Sequence, residues 1–175
     1  PALFSDAGHQ SRVHFRNIKR ELEANPLLQE DFPDLCRPAL RRGNRADVDN
    51  ETEYHSAAGH TIMAKGITAK NLGLKSGAFG NDRPDLLLLD DVEPAGSLYS
   101  RDQKKKRLEL ITQAILPMNY NACVEIVGTV TMYDSIMHDL VRAATGGVVA
   151  DWITEANILT KYFPGIMRDS RGRFF

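Results

Sequence analysis

The hydrophobic residues of this chain follow two spacings, and each spacing predicts a different kind of element. Uninterrupted apolar runs predict short strands, and apolar residues that recur every three or four positions predict helices. The strand candidates are residues 2–5, 61–64, 86–89 and 122–127. The four leucines at 86–89 are typical of a strand buried on both faces of a parallel sheet. The pattern therefore predicts an α/β fold, in which a mostly parallel sheet is flanked by helices.

Two helices are marked by their ends as well as by their spacing. The first spans residues 10–22 and stops at Asn25-Pro26, because proline disfavours a helical residue before it. The second begins at Ser100, which forms a capping-box pattern with Gln103, and it closes at Pro117.

The last part of the chain predicts a third helix and further strands, within one domain that spans residues 1–175. We expect Asp134 to cap this helix. Residues 148–153 and 158–167 have the composition of strands. The apolar face of the helix is formed by Ile136, Met137, Leu140, Val141 and Ala144.

Acidic side chains follow the leucine run at the point where that strand would leave the core. Asp90 and Asp91 come directly after it, and Glu93 is close behind. Ligands of open α/β sheets bind outside the carboxyl ends of the strands, and carboxylates there suit a nucleotide-bound Mg²⁺. One carboxylate would hold the metal, and the next would orient the water that attacks the γ-phosphate. The alternative is structural, because aspartate also begins turns and caps helices.

A second polar pair follows the run at 122–127, which we expect to be a buried strand. Gly128 and Thr129 stand there. A small polar residue at the end of a neighbouring strand is suited to sense the γ-phosphate or the attacking water. The alternative is an ordinary turn, in which glycine and threonine are both common. Two strands that end in Asp-Asp and Gly-Thr together favour a nucleotide site.

Basic residues are concentrated in two segments. Residues 65–82 are rich in glycine and include Lys70, and they are either a surface loop or a basic loop near phosphate or a polyanion. Four consecutive basic residues lie in the first half of the second helix, where a solvated face and contact with a DNA backbone are the two interpretations. They are Lys104, Lys105, Lys106 and Arg107.

The composition narrows the classes of partner. The chain has 175 residues, of which 42% are hydrophobic and 26% charged, and its net charge of -1 excludes a basic surface over the whole domain. Any nucleic-acid contact must therefore be local. No apolar run approaches the ~20 residues that span a bilayer.

Cys36 and Cys123 form no CxxC pair and are expected to be buried thiols, and His9 and His14 are expected to be solvated or at an edge.

A Walker A loop, GxxxxGK[ST], is missing from these residues, because the dipeptide Gly-Lys does not occur. A P-loop enzyme needs that loop to cradle the phosphates. If the chain belongs to such an enzyme, we expect the loop to lie before Pro1. The chain would then be the middle and C-terminal part of an ATPase domain.

Taken in order, these features resemble the large terminase subunit of tailed bacteriophages, from about residue 5 to residue 174. The most specific part is Arg83-Pro84-Asp85, which leads into the leucine strand and the acidic pair. The other segments that carry the resemblance are residues 10–25, 66–70, 127–129 and 162–164.

The resemblance implies a P-loop NTPase fold of the additional-strand type, with its phosphate-loop portion absent here and a nuclease domain beyond Phe175. It implies ATP and Mg²⁺ as cofactors and Asp90 as the Walker B metal ligand. Asp91 stands where many members have the catalytic glutamate, and because aspartate is shorter, Glu93 is a second candidate for that role. Gly128-Thr129 corresponds to the motif that couples the nucleotide to motion.

The implied function is ATP hydrolysis that drives double-stranded DNA into a procapsid, in the cytoplasm of a bacterial host. The implied partners are DNA, the portal or procapsid, the small terminase subunit and further copies of the chain, with no membrane. Lys70 and residues 104–107 are candidate DNA contacts, although Asn71 replaces a glycine common in the family. The alternatives are a helicase-like P-loop ATPase and a non-catalytic prophage remnant that only binds partners or DNA. We expect the isolated chain to hydrolyse ATP poorly or not at all.

Overall fold

A computed structural model describes residues 1–67, 83–94, 100–130 and 132–163 of the chain. The chain divides into two compact units, Pro1–Thr129 and Val130–Phe175, which are described separately below.

The described residues form seven strands and six α-helices. The strands are β1 (Ala2–Ser5), β2 (Leu40–Arg41), β3 (Arg45–Ala46), β4 (Glu53–His55), β5 (Thr61–Gly66), β6 (Leu86–Asp90) and β7 (Cys123–Val127). The helices are α1 (Gly8–Ala24), α2 (Pro26–Asp31), α3 (Pro33–Cys36), α4 (Arg101–Leu110), α5 (Ile136–Ala144) and α6 (Asp151–Glu155). Helix α4 continues through a π-helical turn, Ile111–Ile115, and a 3₁₀ turn, Leu116–Met118.

Five of the strands form one sheet in the order β4-β5-β1-β6-β7. Strand β1 pairs in parallel with both β5 and β6, and β6 pairs in parallel with β7. Only β4 is antiparallel, to β5. The predicted α/β class, with a mostly parallel sheet flanked by helices, is therefore confirmed.

Helix α1 covers one face of the sheet, and its boundaries follow from its sequence. The predicted apolar stripe is real, since Phe15 and Leu22 are buried against Leu3 of β1 and Ile62 of β5. Asn25 ends α1 and, at the same time, caps α2 by accepting hydrogen bonds from backbone N–H groups of its first turn. The predicted stop at Asn25-Pro26 is thus correct.

The two faces of β6 are buried to different degrees. Leu87 and Leu89 are fully buried, while Leu86 and Leu88 are only partly buried. The prediction of a strand buried on both faces is therefore only half right. Because β1 and β6 are paired in register, Leu88 lies on the face that α1 covers.

Strand β7 lies at the edge of the sheet and is mostly exposed, so the prediction of a buried strand at 122–127 is wrong there. Its last residue, Val127, is 59% exposed. Cys123 is exposed and Cys36 partly buried, which also corrects the expectation of two buried thiols. An apolar run predicts extended backbone, but it does not tell which strand becomes the edge.

The segment between α3 and β5 contains the hairpin β2–β3 and a charged cluster centred on His55. The two ring nitrogens of His55 lie 2.9 Å from Asp47 Oδ2 and 2.9 Å from Glu53 Oε1. Arg41 also pairs with Asp47. Burial opposes the charged form of the ring, but the hydrogen bonds to Asp47 and Glu53 outweigh it, so the pKa of His55 is raised.

The second unit contains α5 and α6 and corrects two predictions. Ser135, not Asp134, caps α5, because its hydroxyl accepts a hydrogen bond from the His138 N–H at 3.1 Å. Asp134 has a φ of 60°. The residues at 148–153 do not form a strand, since they lead into helix α6, in which Trp152 is buried and donates to Asp139. Residues 158–163 are likewise not a strand.

Within the described ranges, no helix is both long enough and apolar enough to cross a membrane.

Helix α1 and strand β5 touch where two glycines meet. A Cβ added to Gly66 would lie 2.7 Å from the Gly8 backbone nitrogen, whereas one added to Gly8 would lie 3.6 Å from Gly66. We expect Gly66→Ala to lower the free energy of unfolding by about 1–3 kcal/mol, because backbone must move. Gly8→Ala is the matched control and should be close to neutral. Urea unfolding of the two variants checks this, and equal loss in both would contradict it.

The His55 cluster predicts a pH-dependent stability. A raised pKa means that the stabilisation is fully present below the unfolded value of about 6.5 and is lost as the pH rises through the folded value. The stability difference between the wild type and His55→Gln should therefore be larger at pH 6 than at pH 9. His60→Gln, at an exposed histidine, is the matched control substitution. Thermal unfolding across this pH range is the measurement.

Candidate functional site

The candidate site lies at the carboxyl edge of the parallel sheet, where β1, β5, β6 and β7 all end. Pairing fixes its register: Ser5 is opposite Asp90, and Asp90 is opposite Val127. The first two residues after β7, Gly128 and Thr129, therefore follow a strand that is the direct neighbour of the acidic strand. The arrangement expected from the sequence, two adjacent parallel strands with these ends, is present.

Asp90 is the last residue of β6 and meets a histidine of helix α1. It lies on the same face as Leu88, which is the face that α1 covers. The Nε2 atom of His14 is 2.9 Å from Asp90 Oδ2, and both side chains are about two-fifths exposed. This Nε2 atom is itself buried, and it makes no hydrogen bond of acceptable angle. His14 was expected to be solvated or at an edge, and the structure instead places it at the acidic strand end.

Asp91 forms a strained turn that is tied to the start of α1. Its φ is 44°, a left-handed conformation that aspartate tolerates better than most residues. Its side chain accepts a hydrogen bond from Gln10 Nε2 at 3.1 Å, and its carbonyl accepts one from the Asp6 N–H at 3.2 Å. Its own N–H donates to the Val127 carbonyl at 3.0 Å. Asp91 thus links the ends of β1, β6 and β7, and it does not cap a helix.

The remaining candidates at this edge differ in exposure. Gly128 and Glu93 are half-buried, and Thr129 is exposed. Val92, between Asp91 and Glu93, is completely buried and anchors the chain as it leaves the strand.

The basic residues of helix α4 fall into two groups. The predicted capping box of Ser100 and Gln103 is present and starts the helix. Lys105 and Lys106 are exposed, and Lys104 is half-buried. Arg107 differs from them, because its guanidinium binds the Asp6 carboxylate and the Ile67 carbonyl oxygen.

Arg107 therefore has a structural partner at the same sheet edge as the acidic pair. Asp6 donates its N–H to Asp91, so a chain of two contacts joins helix α4 to the end of β6. Contact of the lysines with DNA stays a prediction. Lys70 and Asn71 lie outside the described residues.

In the part of the chain that the structure describes, no group of three or more histidine, cysteine, aspartate or glutamate side chains is arranged to hold a metal ion. A Mg²⁺ at Asp90 would therefore complete its coordination with water and phosphate oxygens, as is usual for this ion. Asp90 fits that role, because two-fifths of its side chain is exposed and it lies at a strand end.

The sequence matches no known protein family and no curated protein.

Gln10 and His14 are the residues that the sequence analysis missed. They are four positions apart on α1 and so lie on one side of the helix. Each reaches one member of the acidic pair, Gln10 to Asp91 and His14 to Asp90. The sequence shows these two polar residues at helical spacing next to the apolar stripe that contains Phe15. This pattern indicates a site only once α1 is known to pack beside β6.

Arg107→Ala tests whether this arginine stabilises the sheet edge. Because Arg107 and Asp6 are both more than three-quarters buried, we expect a loss of about 2 kcal/mol in the free energy of unfolding. Lys105→Ala, two residues away at an exposed position of the same helix, should change it by less than ~0.5 kcal/mol. Urea denaturation distinguishes the two, and equal effects would mean that the ion pair contributes nothing to stability.

Proposed function

We propose that this chain is the ATPase segment of a DNA-packaging motor of the large terminase class, with the P-loop fold of the additional-strand type. In this proposal the full protein binds ATP and Mg²⁺ and uses hydrolysis to move double-stranded DNA into a procapsid in the host cytoplasm. Its partners are the portal or procapsid, the small terminase subunit and further copies of itself.

The observation that carries the proposal is the adjacency of two strand ends. Asp90 closes β6, and Gly128 directly follows β7, which is paired in parallel with β6. Carboxyl ends of parallel strands are where α/β proteins bind their ligands. A metal-binding carboxylate and a polar sensor on neighbouring strand ends fit a site that holds Mg²⁺ and responds to the γ-phosphate.

The contacts support a division of roles within the proposed site. Asp90 is the metal ligand, since part of its carboxylate is exposed at the edge. Asp91 is held by Gln10 and by the backbone of Asp6 and Val127, which fixes its position but leaves its second carboxylate oxygen for a water molecule. Glu93 is the other candidate for orienting the attacking water. Gly128 and Thr129 report the state of the γ-phosphate.

In this proposal the phosphate cradle is supplied by residues outside these 175, because GxxxxGK[ST] does not occur among them. The exposed lysines of α4, Lys105 and Lys106, are the described candidates for the DNA backbone. Their helix is linked to the site through two contacts, since Arg107 binds Asp6 and Asp6 contacts Asp91.

If the chain is part of a longer protein, ATP hydrolysis by that protein tests the proposal. If the sequence before Pro1 supplies GxxxxGK[ST], we expect DNA-dependent hydrolysis that falls at least ~100-fold in Asp90→Ala, because the metal is lost. Asp91→Asn and Glu93→Gln separate the two candidate catalytic carboxylates, and only one should lower kcat strongly. The isolated chain should hydrolyse ATP poorly or not at all.

The control is Asp31→Asn, at an exposed aspartate near the end of α2, which should leave hydrolysis unchanged. Absence of ATP binding in the longer protein would reject the motor and favour a non-catalytic role. Hydrolysis that persists in Asp90→Ala would show that the metal is held elsewhere.

A further inference from the structure

The contact between α1 and the end of β6 has the dimensions of a metal chelate. His14 Nε2 and Asp90 Oδ2 are 2.9 Å apart. Nitrogen and oxygen ligands lie about 2.1 Å from a divalent ion, and two such ligands at a right angle are therefore about 3.0 Å from each other. The observed separation matches one edge of an octahedron around a single ion.

The surroundings of His14 Nε2 also favour a bound ion. Nε2 of His14 is buried and lies 2.9 Å from Asp90 Oδ2 as an ion pair, but it makes no hydrogen bond of acceptable angle. A buried polar atom without a hydrogen bond is costly, and native structures seldom retain one without a reason. An unprotonated imidazole nitrogen is also a common metal ligand. An ion between the two side chains would satisfy this nitrogen and neutralise the carboxylate beside it.

We propose that His14 and Asp90 together bind one divalent ion, and that the imidazole makes this site prefer Mn²⁺ over Mg²⁺. Imidazole nitrogen suits later first-row metals such as Fe²⁺, Ni²⁺ and Zn²⁺ best. Mn²⁺ accepts one imidazole beside oxygen ligands more readily than Mg²⁺ does, because Mg²⁺ is held almost entirely by oxygen. This deepens the proposed function, on which it rests for the ligands that come from outside the chain, namely water and nucleotide phosphate. The site has only two protein ligands, because the described residues contain no group of three or more histidine, cysteine, aspartate or glutamate side chains that could hold an ion.

The neighbouring carboxylate does not complete the set. Asp91 Oδ2 is engaged by Gln10, and the backbone of Asp91 is fixed by contacts to Asp6 and Val127. Helix α1 thus contacts both aspartates in different ways. The Gln10 amide donates a hydrogen bond to Asp91, and the ring nitrogen of His14 lies beside Asp90.

The experiment is Mn²⁺ binding to the 175-residue chain, followed by the electron paramagnetic resonance signal of free Mn²⁺. We expect one site, weakened about tenfold or more in His14→Ala and in Asp90→Asn. Mg²⁺ should displace Mn²⁺ only at about tenfold excess or more. The matched control is His9→Ala, an exposed histidine of the same helix, which should bind as the wild type does.

A spectroscopic readout separates coordination from mere support of the fold. Bound Mn²⁺ should show ¹⁴N coupling from a coordinated imidazole in spin-echo experiments, and this coupling should vanish in His14→Ala. His14→Glu supplies an oxygen at a similar reach instead, so it should keep ion binding while losing the preference for Mn²⁺. Circular dichroism confirms that each variant is folded.

The outcomes distinguish this inference from the proposed function. Wild-type affinity in His14→Ala, no nitrogen coupling, or no Mn²⁺ binding at millimolar concentration would each overturn the His14 site. An Asp90-dependent ion without His14 would still leave the motor proposal standing. Conversely, a His14–Asp90 site in a protein whose longer form binds no ATP would retain the metal site and remove the motor.

Discussion

Parallel pairing of the four-residue strand β1 with β5 on one side and β6 on the other is the constraint on which the sheet edge depends. It sets Ser5 opposite both Gly66 and Asp90. The chain must then turn at Asp6 and Ala7 and begin α1 at Gly8, so the first turns of that helix lie beside the ends of three strands. Every contact of the acidic pair with α1 follows from this register.

The same region shows how closely the edge is packed. Gly66 leaves no room for a side chain against Gly8, and this holds the start of α1 against β5. Asp91 takes a left-handed turn with its N–H, carbonyl and side chain all engaged. Arg107 reaches from α4 to Asp6 and Ile67. Helix α1, the end of strand β6 and helix α4 are distant in sequence, and these contacts fix all three to the carboxyl edge of the sheet.

Local pattern was enough to predict the four parallel strands and the long helix, but not β2, β3 or β4, which lie in a charged segment without an apolar run. The capping box at Ser100 was equally predictable, since it is a contact between residues three apart. The failed prediction that β7 is buried involves information that is not local. Exposure of β7 depends on its place in the strand order, which no property of its own residues determines.

The acidic pair itself was predicted from its place after a strand, but its partners were not. Gln10 and His14 become site residues only through the packing of α1 beside β6, and Arg107 only through its reach to Asp6. Helix α6 was missed for a different reason, because an apolar run of five or six residues fits a buried helix as well as a strand. Asp134 and Ser135 are both good helix caps, and only the structure shows that the serine is used.

The π-helical turn Ile111–Ile115 has a consequence for how helix α4 presents its charges. Such a turn holds one residue more than an α-helical turn, and one residue corresponds to about 100° of rotation round the axis. The lysines that precede it and the isoleucines within it are therefore offset from the alignment of an uninterrupted helix. Deleting one residue of this turn would rotate the lysine ammonium groups by about 100° round the helix axis relative to the buried isoleucines, Ile111 and Ile115.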